Sequence, residues 1–268
     1  MVAGDVTVGI TSLTTKSCAV FDGVSNYIEI AHSKHHLGDI SFANGFTLSA
    51  WIFPRSAGEG GGGDFSRIFD KTNSSVSAVD GFKMQISSNR LLVKINNGTS
   101  RQSAVNSVSY DEWTHVLATI STAGVVRCYI DGVLSGSPGI SAAVSGIVAT
   151  NALKIGNRSD NTDKTFDGGI RDAKIFNRVL SDDEALQEAT SGDVTDSLLN
   201  HWKLISDYND SGPLGLDGTN SGTSFTIFDE GLTTSLASQR ATAGANGTYL
   251  VTNLGQGKQM LHSATEET

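Results

Sequence analysis

No apolar run in these 268 residues is long enough to cross a bilayer as a helix, so no membrane span is expected. Positive charge is scarce: 19 Lys and Arg stand against 28 Asp and Glu, a formal net charge of −9. A nucleic-acid partner requires clustered Lys and Arg, so nucleic acid is not expected as a ligand. Cysteine is almost absent. Cys18 and Cys128 read as two buried thiols, with a disulfide between them as the alternative; two cysteines cannot staple a chain this long. Proline is rare beside glycine, 3 against 30, and the abundant Gly, Ser, Thr and Asn fit short strands joined by tight turns. Met1 to Ile10 lacks a basic region followed by an apolar core, so no secretory signal peptide is visible. That leaves a chain that is cytosolic as made, one whose export signal was removed, or one released by lysis inside a larger particle.

What is present is period-two alternation. In Thr114–Ile120, Val116, Ala118 and Ile120 lie opposite His115, Leu117 and Thr119. Val125–Ile130 alternates in the same way after the Thr122-Ala123-Gly124 break, which predicts a hairpin, and Asp131-Gly132 supplies a second tight turn. Phe46–Phe53 alternates with large groups on both faces and reads as a central strand closed by Pro54. Further strands are expected at 18–22, 27–30, 65–69, 81–86, 90–95, 152–156, 168–176 and 198–204. A single helix is expected from Ser181, whose hydroxyl and Glu184 form a capping box, to about Ala189, ending before Gly192. Gly58, Gly60 and Gly63 have G-x-G-x-x-G spacing, but a strand rather than a helix follows, so they read as a loop and not a nucleotide site.

The ordered pieces Phe21-Asp22-Gly23, Phe46-Thr47-Leu48-Ser49-Ala50-Trp51, Trp113 with His115-Val116, Tyr129-Ile130-Asp131-Gly132, Leu153-Lys154-Ile155-Gly156 and Gly168-Gly169-Ile170 resemble the laminin-G-like domain of the concanavalin A-like lectin/glucanase superfamily. The resemblance spans roughly residues 18–189. It implies an all-β fold, an antiparallel β-sandwich jelly roll, here with one short helix and an extended C-terminal arm. The expected layout is an N-terminal arm at 1–16, the sandwich at 17–228 and a C-terminal extension at 229–268. Trp51 and Trp113 are expected as core anchors. Residues 198–219 resemble the segment that usually begins such a domain; they are expected to return and complete the same sandwich.

Glucanases of the superfamily carry paired carboxylates in an E-x-D-x-x-E strand; no Glu here has an Asp two residues later, so no catalytic residue is assigned and no enzymatic role is expected. Glu184 and Glu188, at helical i, i+4 spacing, read as a solvated face. His32, His35 and His36 read as a polar surface loop, since zinc would need ligands from elsewhere. Calcium is the metal expected if one is held, because relatives often bind it near the F-D-G turn and the following G-x-I-D strand. Asn26 and Arg171 stand where acids are common in those places, leaving Asp22 and Asp172 as candidates, with Asp207, Asp210 and Asp217 as a second acidic group.

The functional expectation is a non-catalytic structural or binding module. Its main form is a decoration, tail or fibre protein on the surface of a phage or similar particle; the alternative is a carbohydrate-binding or adhesion module of a secreted bacterial protein. The corresponding location is the virion surface or the extracellular space, with surface glycans and other structural proteins as partners. The arm at 231–268, through Tyr249-Leu250-Val251, is expected to pair with a neighbouring subunit's sheet edge and produce a homo-oligomer, a dimer or trimer.

Overall fold

The structure is a computed structural model that describes residues 16–31, 44–58, 65–73, 81–144, 150–161 and 163–228, together with the strand paths at 249–253 and 259–263. His32, His35 and His36, and the glycine run after Gly58, lie outside the described residues. Strands are numbered along the chain. One sheet of nine strands runs β10 (Val133–Leu134), β9 (Val125–Ile130), β8 (Thr114–Ile120), β3 (Phe46–Pro54), β13 (Asp167–Phe176), β1 (Lys16–Asp22) and β16 (Ser224–Phe228). On this sheet β11 (Gly139–Ile140) pairs with β9, and β14 (Leu198–Trp202) with β13. The second sheet runs β15 (Thr219–Ser221), β2 (Tyr27–Ile30), β12 (Leu153–Ile155), β4 (Ser66–Thr72), β5 (Gly81–Ser87), β6 (Arg90–Ile95) and β7 (Arg101–Gln102). All pairings are antiparallel, and the sheets face each other as a jelly-roll sandwich.

Alternation decides what fills the space between the sheets. Phe46, Leu48, Ala50 and Ile52 of β3 meet Phe69 and Ile68 of β4, Phe82 and Met84 of β5, and Phe21, Ile28 and Phe166 in one buried cluster. Trp202 is the tryptophan of this core, fully buried, with its indole N–H donated to the Leu216 carbonyl at 2.9 Å. Gly156 lets the core close: it has φ +86°, and a Cβ there would lie 2.0 Å from the Phe21 ring. The Asp131-Gly132 turn takes positive φ at both residues, 49° and 79°, and joins β9 to β10.

The 198–228 segment is part of the same sandwich. β14 lies beside the second half of β13, β15 beside β2, and β16 beside β1. The chain thus returns to both sheets after the helix α1 (Asp182–Thr190), which Ser181 caps through the expected box with Glu184. Residues 232–268 form a separate compact unit, in which β17 (Tyr249–Asn253) pairs with β18 (Gln259–Ser263), Val251 opposite Leu261. The tail read from the sequence as extended therefore contains a hairpin, whose short connection costs little closure entropy. Cys18 and Cys128 are free, buried thiols; burial pushes both up to about 12, so neither is a reactive thiolate.

Candidate functional site

Trp51 and Trp113 are not core anchors. With Phe46, Leu48, Ala50 and Ile52 turned inward, Thr47, Ser49, Trp51 and Phe53 must lie on the outer face of the nine-stranded sheet. Trp51 stands in register between His115 of β8 and Arg171 of β13. The Arg171 guanidinium carbon lies 5.0 Å from the centroid of Trp51 and 5.0 Å from that of Trp113, so one cation is held by two indoles. Phe53 packs on Trp113 at 5.6 Å and stacks on Phe228 at 4.6 Å, extending this aromatic row across the sheet.

A β-bulge in β13 aims these groups. The register with β3 shifts between Arg171 and Lys174, and Asp172 within the shift has φ +50°. The extra residue puts Arg171, Asp172 and Lys174 on the outer side while Ile170, Ala173 and Ile175 stay in the core. Asp172 accepts a hydrogen bond from Arg171 Nη1 and another from His201 Nε2 at 3.1 Å. Burial works to raise the Asp172 carboxyl, but the His201 hydrogen bond and the Arg171 charge outweigh it and hold it below the usual carboxylate value.

Lys174 is driven into the gap beneath the end of α1. Its Nζ donates to Glu188 Oε1 at 2.5 Å and to the Gly192 carbonyl at 2.7 Å, with both side chains about 3% exposed or less. Glu188 is thus no solvated residue, because its helix face packs on the sheet. Glu184 instead pairs with Arg178 and reaches back to the Ser181 N–H, which together hold its carboxyl down to about 2. His115 shares a 2.9 Å hydrogen bond with Ser49 Oγ inside the sandwich wall. Burial, reinforced by the Lys174 charge, lowers His115 to about 3, so its ring is neutral near pH 7.

Between the aromatic row and the helix end lies a cleft of about 330 Å³, lined by Trp51, Arg171, Asp172, Lys174, His201 and residues 188–192. It combines an indole, carboxylates and the last turn of a helix, the mixture of apolar surface and a few placed polar groups that suits a small polar ligand.

The expected calcium carboxylates are placed differently. Asp22 Oδ1 accepts the backbone N–H groups of Val24, Ser25 and Asn26 at 2.9–3.1 Å, capping the F-D-G turn. Its cross-strand neighbour Asp167 is committed to Arg55 and Ser56. Asp210 accepts four hydrogen bonds, from His201 N, Gly212 N, Leu216 N and Asn200 Nδ2. Asp217 accepts the Asp210 N–H, and Asp207 that of Asn209. Asp172 and Asp210 meet two different nitrogens of His201, whereas Asp22 belongs to another turn. Among the described residues no three His, Cys, Asp or Glu side chains gather as a metal cage. Asp22, Asp207 and Asp210 thus accept backbone N–H groups of their own turns, whereas Asp172 is held by the Arg171 and His201 side chains.

In the sequence Arg171 is legible only as a departure from an acidic pattern; its role between two indoles, and the parts played by Lys174, Glu188 and His201, carry no signal there. A laminin G family model described as the concanavalin A-like lectin/glucanases superfamily matches residues 22–185, more than half of the chain. The chain belongs to that superfamily. Among solved structures, it resembles a Bacteroides ovatus protein provisionally assigned as carbohydrate binding, with TM-score 0.57, 16% identity and 80% of this chain covered. The chain spans 60% of that protein's length. It also resembles a heptameric SAP-like pentraxin from Limulus polyphemus, with TM-score 0.51 and 14% identity, covering 81% of this chain and 96% of that one. At these identities the likeness shows the shared fold. No curated protein matches the sequence.

Proposed function

We propose that this chain is a non-catalytic carbohydrate-binding module whose ligand occupies the cleft between Trp51 and the end of α1. The observation that carries this reading is the cleft's composition: a half-buried indole beside Asp172, His201 and Glu188, all fixed by partners before a ligand arrives. A sugar ring offers C–H faces to an aromatic surface and hydroxyls to carboxylates and imidazole. The provisional assignment of the Bacteroides ovatus protein supports the same reading. The particle-surface role expected first from the sequence has no such support, and neither similar protein is described as a virion component. An extracellular location and a homo-oligomer formed through the arm at 231–268 belong to this proposal as well.

A glycan array followed by titration calorimetry tests it. Wild-type protein is expected to bind at least one glycan with a micromolar to millimolar Kd, and Trp51→Ala to weaken that binding at least about tenfold. Absence of binding across the array would overturn the proposal.

A further inference from the structure

We infer that Lys83 and Lys94 hold a small oxyanion, a phosphate or sulfate group, on the outer face of the seven-stranded sheet, at a site separate from the cleft.

Alternation puts both lysines on that face. Phe82, Met84 and Ile86 of β5 and Val93 and Ile95 of β6 belong to the core, so Lys83 and Lys94 point away from it. They stand directly opposite each other in the register of β5 with β6. Like charges directly opposite on neighbouring strands destabilise a sheet, so this pair favours an anion.

The nearby carboxylates do not fill that role. Asp70 faces Lys83 from β4, but it is fully buried and already committed: it pairs with Arg67 Nε at 2.8 Å and accepts from the Thr72 hydroxyl at 2.7 Å and from the Ser159 N–H. Asp160 and Asp163 both pair with Arg158. Among the described residues no carboxylate forms an ion pair with Lys83 or Lys94, and both side chains are half-buried, within reach of solvent.

The surrounding charge is that of cations. Burial first, then the Arg67 charge, lowers Lys83 from 10.5 to about 8; Lys94 and Arg158 act in the same direction, and Asp70 alone opposes them. An anion seated on the two ammonium groups would restore the charged form of Lys83. Each ammonium group donates through several N–H bonds, which suits the many oxygens and the double charge of a phosphate or sulfate.

The experiment follows the Tm of the full chain as sodium sulfate or phosphate replaces NaCl at constant ionic strength. Tm is expected to rise saturably, by about 2–4 °C at ten times the Kd. Lys83→Gln and Lys94→Gln are each expected to raise that Kd at least about fivefold, and Lys83→Arg to leave it within about twofold. Without sulfate, Lys83→Gln is expected to melt no lower than the wild type, because it removes one of two opposed charges. In 1H–13C NMR, the Lys83 titration near pH 8 is expected to move upward when sulfate saturates the site. A Tm response that does not saturate, or one undiminished in the Lys83→Gln/Lys94→Gln double variant, would overturn the inference. Galactose 6-sulfate, titrated in parallel, separates the sources of the group. Tighter binding than inorganic sulfate identifies a group carried on a sugar, and equal or weaker binding identifies the free anion. None of these measurements involves the cleft, so failure of this site leaves the carbohydrate-binding reading intact.

Discussion

Arg171 shows how one residue organises the outer face. Its guanidinium fills the space between Trp51 and Trp113, so that neither ring can turn without losing a cation–π contact. Beside it, His115 is forced to be neutral. Its folded value of about 3 lies below the ordinary 6.5, so in that interval the unfolded chain binds a proton that the folded chain does not. Stability is therefore fully present above about pH 6.5 and falls as pH drops towards 3, by up to about 1.4 kcal/mol per unit. Thermal melts from pH 8 to pH 4 are expected to show this slope, and His115→Gln is expected to flatten it; an unchanged slope in the variant would remove His115 as the cause.

Two elements define the cleft, the bulged strand β13 and the helix α1. The helix is anchored at its start by the capping box, and Ser181→Ala is expected to cost about 1 kcal/mol, a Tm fall of about 2–4 °C by calorimetry. It is anchored at its end by the buried Lys174–Glu188 pair. Removing one partner strands a buried charge, so Lys174→Met is expected to cost about 3–5 kcal/mol in urea unfolding. The double variant Lys174→Met/Glu188→Leu is expected to regain most of that loss, because the remaining groups are apolar; equal losses in single and double variants would contradict the pairing. Both elements were visible in the sequence, the helix through Ser181 and Glu184 and the strand through its alternation. The site they form was not. Period two predicts which residues share a face until a bulge inserts one residue, and nothing in Arg171-Asp172-Ala173 announces the bulge. Glu188 likewise looks solvated until the fold brings Lys174 beneath it, and His201 reaches Asp172 only because β14 takes up the second half of β13.

At the scale of the molecule, the two sheets share one core to which residues 198–228 return strands on both sides, while 232–268 form a unit of their own. Residues 16–231 are therefore expected to unfold in one cooperative transition, with a Tm within a few degrees of the full chain; loss of the transition on removing 232–268 would show that the sandwich depends on that unit. The separation of core from outer face also provides the most direct test of the functional account. The chain has three tryptophans, Trp51 and Trp113 on the outer face and Trp202 fully buried in the core. Their three indole N–H signals, assigned by single Trp→Phe variants, can be followed by 1H–15N NMR as a neutral glycoside is added. The account predicts a saturable shift of the Trp51 signal, a smaller shift of Trp113 and no change at Trp202. A glycoside that binds by calorimetry while leaving Trp51 unmoved would contradict it.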